Sequence, residues 1–138
     1  MADGNYEQKL LLAQQQLEHQ FPDMLSKHYG GLDIAYGWVK IVFAIMQTIK
    51  NHEDNLLRQR GPEYFGTEYH PVIVDQIKEK FGGLRFYYSG GDGYVDGLVT
   101  MAEQWAEQTC EICGERGELR KLGWMRTLCD EHYQGTRA

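Results

Sequence analysis

The fold turns on the stretch PVIVDQIKEKFGGLRFYY, residues 71–88. In its first half Val72, Val74 and Gln76 alternate with Ile73, Asp75 and Ile77. It ends in LRFYY, residues 84–88, rich in the aromatic and apolar side chains that pack well on a pleated surface. Phe81-Gly82-Gly83 between the halves reads as a three-residue glycine loop, so the stretch is predicted to be a β-hairpin.

Helical patterns flank it. Tyr6, Leu10, Ala13 and Leu17 recur at helical spacing over about residues 5–19, and Phe21-Pro22 ends the run because a residue before proline disfavours the α region. After Gly30-Gly31, a second helix is expected over about 33–57, with Asp33 as its N-cap. Trp38, Val39, Ile41, Val42, Phe43, Ile45, Met46 and Ile49 cover more than one stripe of it, so this helix is expected at the centre of the core. A third helix is expected over about 94–108, with Val95, Leu98, Val99, Ala102 and Trp105 on one face. Trp38, Ile45, Ile73, Phe86 and Trp105 form the expected core of the body. The class is α+β: helices packed on a β-hairpin, followed by a treble-clef or zinc-ribbon-like module. Residues 1–109 make the α+β body, and residues 110–138 make a metal module packed on it.

That module is marked by Cys110, Cys113, Cys129 and His132, spaced C-x2-C-x15-C-x2-H. Zinc prefers four nitrogen and sulfur ligands in a tetrahedron, and a tight turn can supply two ligands two residues apart. Gly114 suits the left-handed residue such a knuckle needs. Residues 117–128 can form a small hairpin turning at Gly123, which places Cys129 and His132 on the first turn of a terminal helix. Four protein ligands leave no open position, so one structural, non-catalytic Zn²⁺ per chain is expected. The module's large apolar side chains are few: Ile112, Leu119, Leu122, Trp124, Met125 and Leu128.

The 138 residues carry 14 Lys/Arg against 20 Asp/Glu, a net charge of −6. That balance argues against a general duplex-DNA binder, whose affinity comes from neutralising phosphates. Three cysteines cannot close a disulfide framework, which points to a reducing compartment. The opening MADGNYEQK lacks the pattern of a secretory signal, and the longest apolar run is IVFAIM, residues 41–46. A membrane span needs about 18 apolar residues. A cytoplasmic protein with no membrane partner is expected.

IKEKFGGLRFYYSGG (residues 77–91), followed by TCEICGERGELRKLGWMRTLCDEH (residues 109–132), resembles a family of small, largely uncharacterised proteins encoded by phages and prophages. The similarity runs from about Phe21 to Tyr133, and Gly37-Trp38 is similar to the family's glycine–tryptophan near the start of its long helix. Helix 1 lies outside it. The resemblance implies the fold and the zinc, and brings no assigned activity.

Other motifs have plainer readings. Residues 92–103, DGYVDGLVTMAE, place Asp92, Asp96, Gly97 and Glu103 at EF-hand positions, but Tyr94 stands where a ligand belongs, and Asp92 reads as a helix N-cap. Residues 89–93, SGGDG, read as a turn, since Asp92 and Asp96 would repel a phosphate. Arg85, Tyr87 and Tyr88 on a predicted strand form one candidate binding group, with Lys78 and Lys80 on the hairpin's solvated face. Arg120, Trp124 and Arg126 form a second, basic–aromatic group. No nucleophile–histidine–carboxylate arrangement is spaced for catalysis, so an enzyme is not expected.

Three functions remain. The first is a phage-type accessory protein that binds a host or defence protein, since its nine tyrosines and three tryptophans are typical of interface hot spots. The second is a binder or sponge for a nucleotide signal, using Arg85, Tyr87 and the glycine turn. The third is a single-strand nucleic-acid binder using Arg120, Trp124 and Arg126. A homodimer through helix 1 is a further expectation.

Overall fold

The computed structural model describes residues 5–121 and 123–137, so Leu122 lies outside the described residues. Helix and sheet are mixed, as expected. The order is α1 (Tyr6–Gln20), β1 (Leu32–Asp33), α2 (Val39–Arg60), β2 (Ile73–Lys80), β3 (Gly83–Ser89), α3 (Gly93–Ala106), β4 (Glu118–Lys121), β5 (Met125–Leu128) and α4 (Asp130–Arg137). Single 3-10 turns occupy Pro22–Met24, Tyr36–Trp38 and Pro62–Tyr64.

α2 is central. Ile41, Val42, Ile45, Met46 and Ile49 are all fully buried, which a helix with more than one apolar stripe achieves only with neighbours on several sides. The helix starts later than Asp33, because Leu32 and Asp33 pair with Ile77 and Lys78 as a short parallel strand and the chain then makes the turn at Tyr36–Trp38. Asp33 is therefore a strand residue rather than an N-cap. At its far end α2 runs on to Arg60, where Gly61 at φ 83° lets the chain leave.

The predicted hairpin is present, with two differences. Its loop is two residues long, Phe81 and Gly82, both at positive φ (55° and 79°), a geometry that matches the twist of the flanking strands. The strict alternation also breaks, because a bulge between Val74 and Gln76 inserts one extra residue. Val72, Val74 and Ile77 consequently all face inward, where Leu84 and Phe86 of β3 meet them. Gln76, Lys78, Arg85 and Tyr87 form cross-strand pairs on the outer face. Of the expected core, Trp38, Ile45 and Phe86 are buried, while Ile73 is partly covered and Trp105 is exposed on the outer flank of α3.

Among the described residues, no helix is long and apolar enough to cross a membrane. Ala13 and Leu17 bury α1 on the chain's own body, leaving Leu11 and Leu12 exposed.

Candidate metal centre

The chain leaves α3 and turns sharply at Cys110–Cys113. The Gly114 amide donates to the Cys110 carbonyl (2.9 Å) to close the turn, and the Cys110 amide donates to the Glu115 carbonyl (2.7 Å). Gly114 sits at φ 82°, the left-handed conformation expected of the knuckle. The second pair of donors comes from the junction of β5 with α4, where Cys129 directly precedes the helix and His132 lies in its first turn.

The two pairs converge. The three thiol sulfurs and the facing ring nitrogen of His132 all lie within 4.8 Å of one another, and together they can hold a metal ion. Cys113 Sγ is 3.8 Å from Cys129 Sγ, while His132 Nδ1 is 3.6 Å from Cys110 Sγ and 3.2 Å from Cys129 Sγ. A disulfide needs sulfurs about 2.05 Å apart, and all three cysteines are free thiols.

The electrostatics fit a cation site. Burial raises the Cys110 thiol, but the amides of Cys113, Cys129 and Ile112 outweigh it and hold the group below the usual thiol range. Cys113 is pushed up to about 12 by burial, opposed by the Glu115 amide and reinforced by the neighbouring Cys110 and Cys129 sulfurs. A thiolate is thus favoured at Cys110 and resisted at Cys113, where a nearby positive charge would offset it.

The knuckle is anchored to the body by the turn ahead of α2. The Gly37 amide donates to the Glu111 carbonyl (2.8 Å). Trp38 Nε1 donates to the Thr109 carbonyl (2.8 Å), and Lys40 Nζ donates to the Gly114 carbonyl (2.5 Å). A methyl group at position 37 would lie 2.1 Å from the Cys110 carbonyl oxygen, so only glycine permits this approach. The glycine–tryptophan pair was visible in the sequence, but nothing about the spacing of Lys40 marks it as a brace for the knuckle.

The other candidate residues separate. Arg126 Nε pairs with the buried Glu111 carboxylate (3.0 Å), whose other oxygen accepts from the Thr127 amide (3.2 Å). Arg120 donates to the Leu128 carbonyl (3.1 Å) and to Asp130 (2.8 Å), and it lies over the Tyr133 ring. Both arginines therefore hold the module together, while Trp124 is 73% exposed beside them. Arg85 and Tyr87 share the outer sheet face, whereas the Tyr88 hydroxyl donates to Asp96 of α3. Burial and that hydrogen bond push Tyr88 up to about 12.

The 92–103 segment is a helix start. Asp92 accepts from the Val95 amide (3.2 Å) and from His52 Nε2 (2.8 Å), and Glu103 accepts from the Phe86 amide (3.0 Å) instead of turning toward a cation. His52 also stacks on Tyr94 with ring centroids 4.2 Å apart. No family model, curated protein or solved structure matches the chain.

Proposed function

We propose that the protein is a non-enzymatic binding module of the phage-accessory kind. In this reading one structural zinc ion builds a treble-clef-like module from residues 110–138, and the surface so formed engages a host or defence protein. Zn–S bonds of about 2.3 Å and Zn–N bonds of about 2.05 Å give tetrahedral edges of about 3.8 Å between sulfurs and about 3.6 Å between sulfur and nitrogen. The sulfur pair at 3.8 Å and the sulfur–nitrogen pair at 3.6 Å support that ion. Three thiolates and an imidazole leave no position for substrate or water, so the metal acts as a cross-link.

The observation that carries the binding reading is the docking of the β2–β3 turn against the strands of the β4–β5 hairpin. Thr127 Oγ1 of β5 donates to the Gly82 carbonyl in the β2–β3 turn (2.7 Å), and Leu119 of β4 packs against the same glycine. Phe81 is the neighbour of that glycine in the turn, and Trp124 lies in the turn between β4 and β5. Phe81 and Trp124 are 67% and 73% exposed, and Leu119 is also exposed. Bulky apolar side chains left exposed in this way are candidates for an interaction surface, and Trp is a frequent hot-spot residue. The zinc, in this reading, keeps the second hairpin beside the β2–β3 turn.

The test is affinity capture with the full-length, zinc-loaded chain. One host protein should be retained at stoichiometric yield, and the Phe81→Ser/Trp124→Ala double variant should lose it with zinc content and melting temperature unchanged. Undiminished capture by that variant would remove the hairpin tips from the interface.

A second reading has one observation in its favour. Lys78, Arg85 and Tyr87 share the uncovered sheet face, and among the described residues Arg85 has no carboxylate at ion-pair distance. A nucleotide phosphate with a stacked base suits that set. A panel of cyclic and linear nucleotides that raises the melting temperature of the wild type, but not of Arg85→Ala, would favour it. The single-strand reading is less supported, because Arg120 and Arg126 already serve partners within the module.

A further inference from the structure

Between α1 and the start of α2 lies an open groove of about 750 Å³. Its α1 side presents Lys9, Leu12, Gln16 and His19, and its α2 side presents Tyr36, Val39, Lys40 and Phe43. Both sets recur every three or four residues, so one wall is a face of α1 and the other a face of α2 continued by Tyr36 of the turn ahead of it. Ala13 and Val39 are buried at the floor, Phe43 is partly covered, and Leu12 stands 62% exposed on the wall.

The charge along this groove is the reverse of the chain's. The protein has 20 Asp/Glu against 14 Lys/Arg, yet no carboxylate residue lines the groove, while Lys9, Lys40 and His19 do. Among the described residues neither lysine has a carboxylate at ion-pair distance. Lys9 Nζ lies over the rings of Tyr6 and Tyr36 (5.4 and 5.7 Å), and Lys40 Nζ is bonded to a neutral carbonyl. Their positive charge is therefore not offset locally.

We propose that this groove seats an acidic amphipathic helix of a partner protein. Apolar side chains at i, i+3 or i+4, and i+7 of such a helix fit between Leu12 and Phe43, as ridges of one helix fit grooves formed by others. Carboxylates on its flanks meet Lys9 and Lys40, and the Gln16 amide can donate to them. The lining on α1 spans residues 9–20, about 16 Å at 1.5 Å per residue, which matches about three turns of a bound helix. A second copy is the weaker occupant, because each chain brings a net charge of −6. This inference rests on the reading that the chain acts by binding another protein, but not on the hairpin tips.

The probe is a fluorescein-labelled model helix with leucines on one face and glutamates on both flanks, compared with its lysine-for-glutamate counterpart by fluorescence anisotropy on the full-length, zinc-loaded protein. The acidic peptide should bind at least about tenfold more tightly than the basic one, and added salt should narrow the difference. Lys9→Glu should abolish or invert that preference, and Leu12→Gln should weaken both peptides, with zinc content and melting temperature unchanged. The Phe81→Ser/Trp124→Ala variant should bind the acidic peptide like wild type, so failure at the tips and failure at the groove can be told apart. Absent binding of the acidic peptide, equal affinity for the two peptides, or indifference to Lys9→Glu would each overturn the proposal. So would a homodimer in light scattering that Lys9→Glu dissolves, which would assign the groove to a second copy.

Discussion

The body and the C-terminal module are held together by different physics. In the body, Leu17, Trp38, Ile41, Ile45, Met46, Ile49, Ile77 and Leu84 are fully buried in one cluster drawn from four elements and the turn before α2. Each large side chain so buried stabilises the fold by about 1.5–3 kcal/mol relative to exposure. In the module, Leu128 and Cys110 are the buried apolar residues among those described, and Leu119 and Trp124 face solvent. Four convergent donors and a buried Glu111–Arg126 pair take the place of a core. The contrast teaches that a small segment can be ordered with little apolar volume where donors converge and a seam docks it on the body. Here the seam is Gly37, Trp38 and Lys40.

Removal of the proposed metal should break this contrast most visibly. Structural zinc contributes about 10–16 kcal/mol to the folding of small metal-dependent peptides, far more than the module's apolar burial. Cys113→Ser, or chelation of the wild type, should remove hydrogen-exchange protection from residues 110–137 while α2 stays protected. His132→Ala should be milder, since water can take the fourth position. Native protection throughout the module in Cys113→Ser would mean that the seam, rather than the metal, orders it.

Gly37→Ala attacks the same boundary from the body side. Its methyl would meet the Cys110 carbonyl at 2.1 Å and the Glu111 backbone at 2.7 Å, so either the knuckle or the start of α2 must move. Overpacking of this kind costs about 1–3 kcal/mol, and backbone on the opposing side puts this case at the upper end. The melting temperature should fall while bound metal stays near one equivalent. Trp38→Phe is gentler, because it keeps most of the buried ring and removes the 2.8 Å hydrogen bond to the Thr109 carbonyl. Leaving that acceptor unsatisfied costs about 1–3 kcal/mol. A double variant no worse than Gly37→Ala alone would show that both substitutions open one seam.

How much of this could be read in advance follows from how local each signal is. The four donors announce themselves by spacing, because a knuckle and a first helical turn are both local structures. α2 is legible from its apolar run, as is Asp92 from its place before a helix. The strand at Leu32–Asp33 is not, because two residues have no periodicity and become a strand only by pairing with Ile77 and Lys78 more than forty residues away. The bulge after Val74 is equally hidden, since alternation predicts an even register and only the partner strand reveals the extra residue. The pairings of Arg120 with Asp130 and of Arg126 with Glu111 are hidden for a related reason: a basic–aromatic cluster in sequence does not show which carboxylate faces which arginine.

The smallest effect lies in the body and distinguishes the two regions by their response to acid. Burial raises the Asp92 carboxyl, but hydrogen bonds from His52 and the Val95 amide outweigh it and hold the group below the usual carboxylate range. A carboxylate depressed in the folded state stabilises above its unfolded value, about 3.9, and loses that contribution as pH falls through the folded value. Asp92 is partly exposed, so solvent screening limits the pair to under about 1 kcal/mol. Asp92→Asn keeps a good N-cap and removes only the charge opposite His52. The melting temperature of the wild type should exceed that of Asp92→Asn at pH 6–7, and the gap should close as pH falls below about 4. The module should respond to acid differently: its donors hold a metal only when deprotonated, so its unfolding should track metal release measured with a zinc-sensitive dye. No gap between wild type and Asp92→Asn at pH 6–7 would mean that the His52–Asp92 contact adds nothing, and that Asp92 acts through its backbone cap alone.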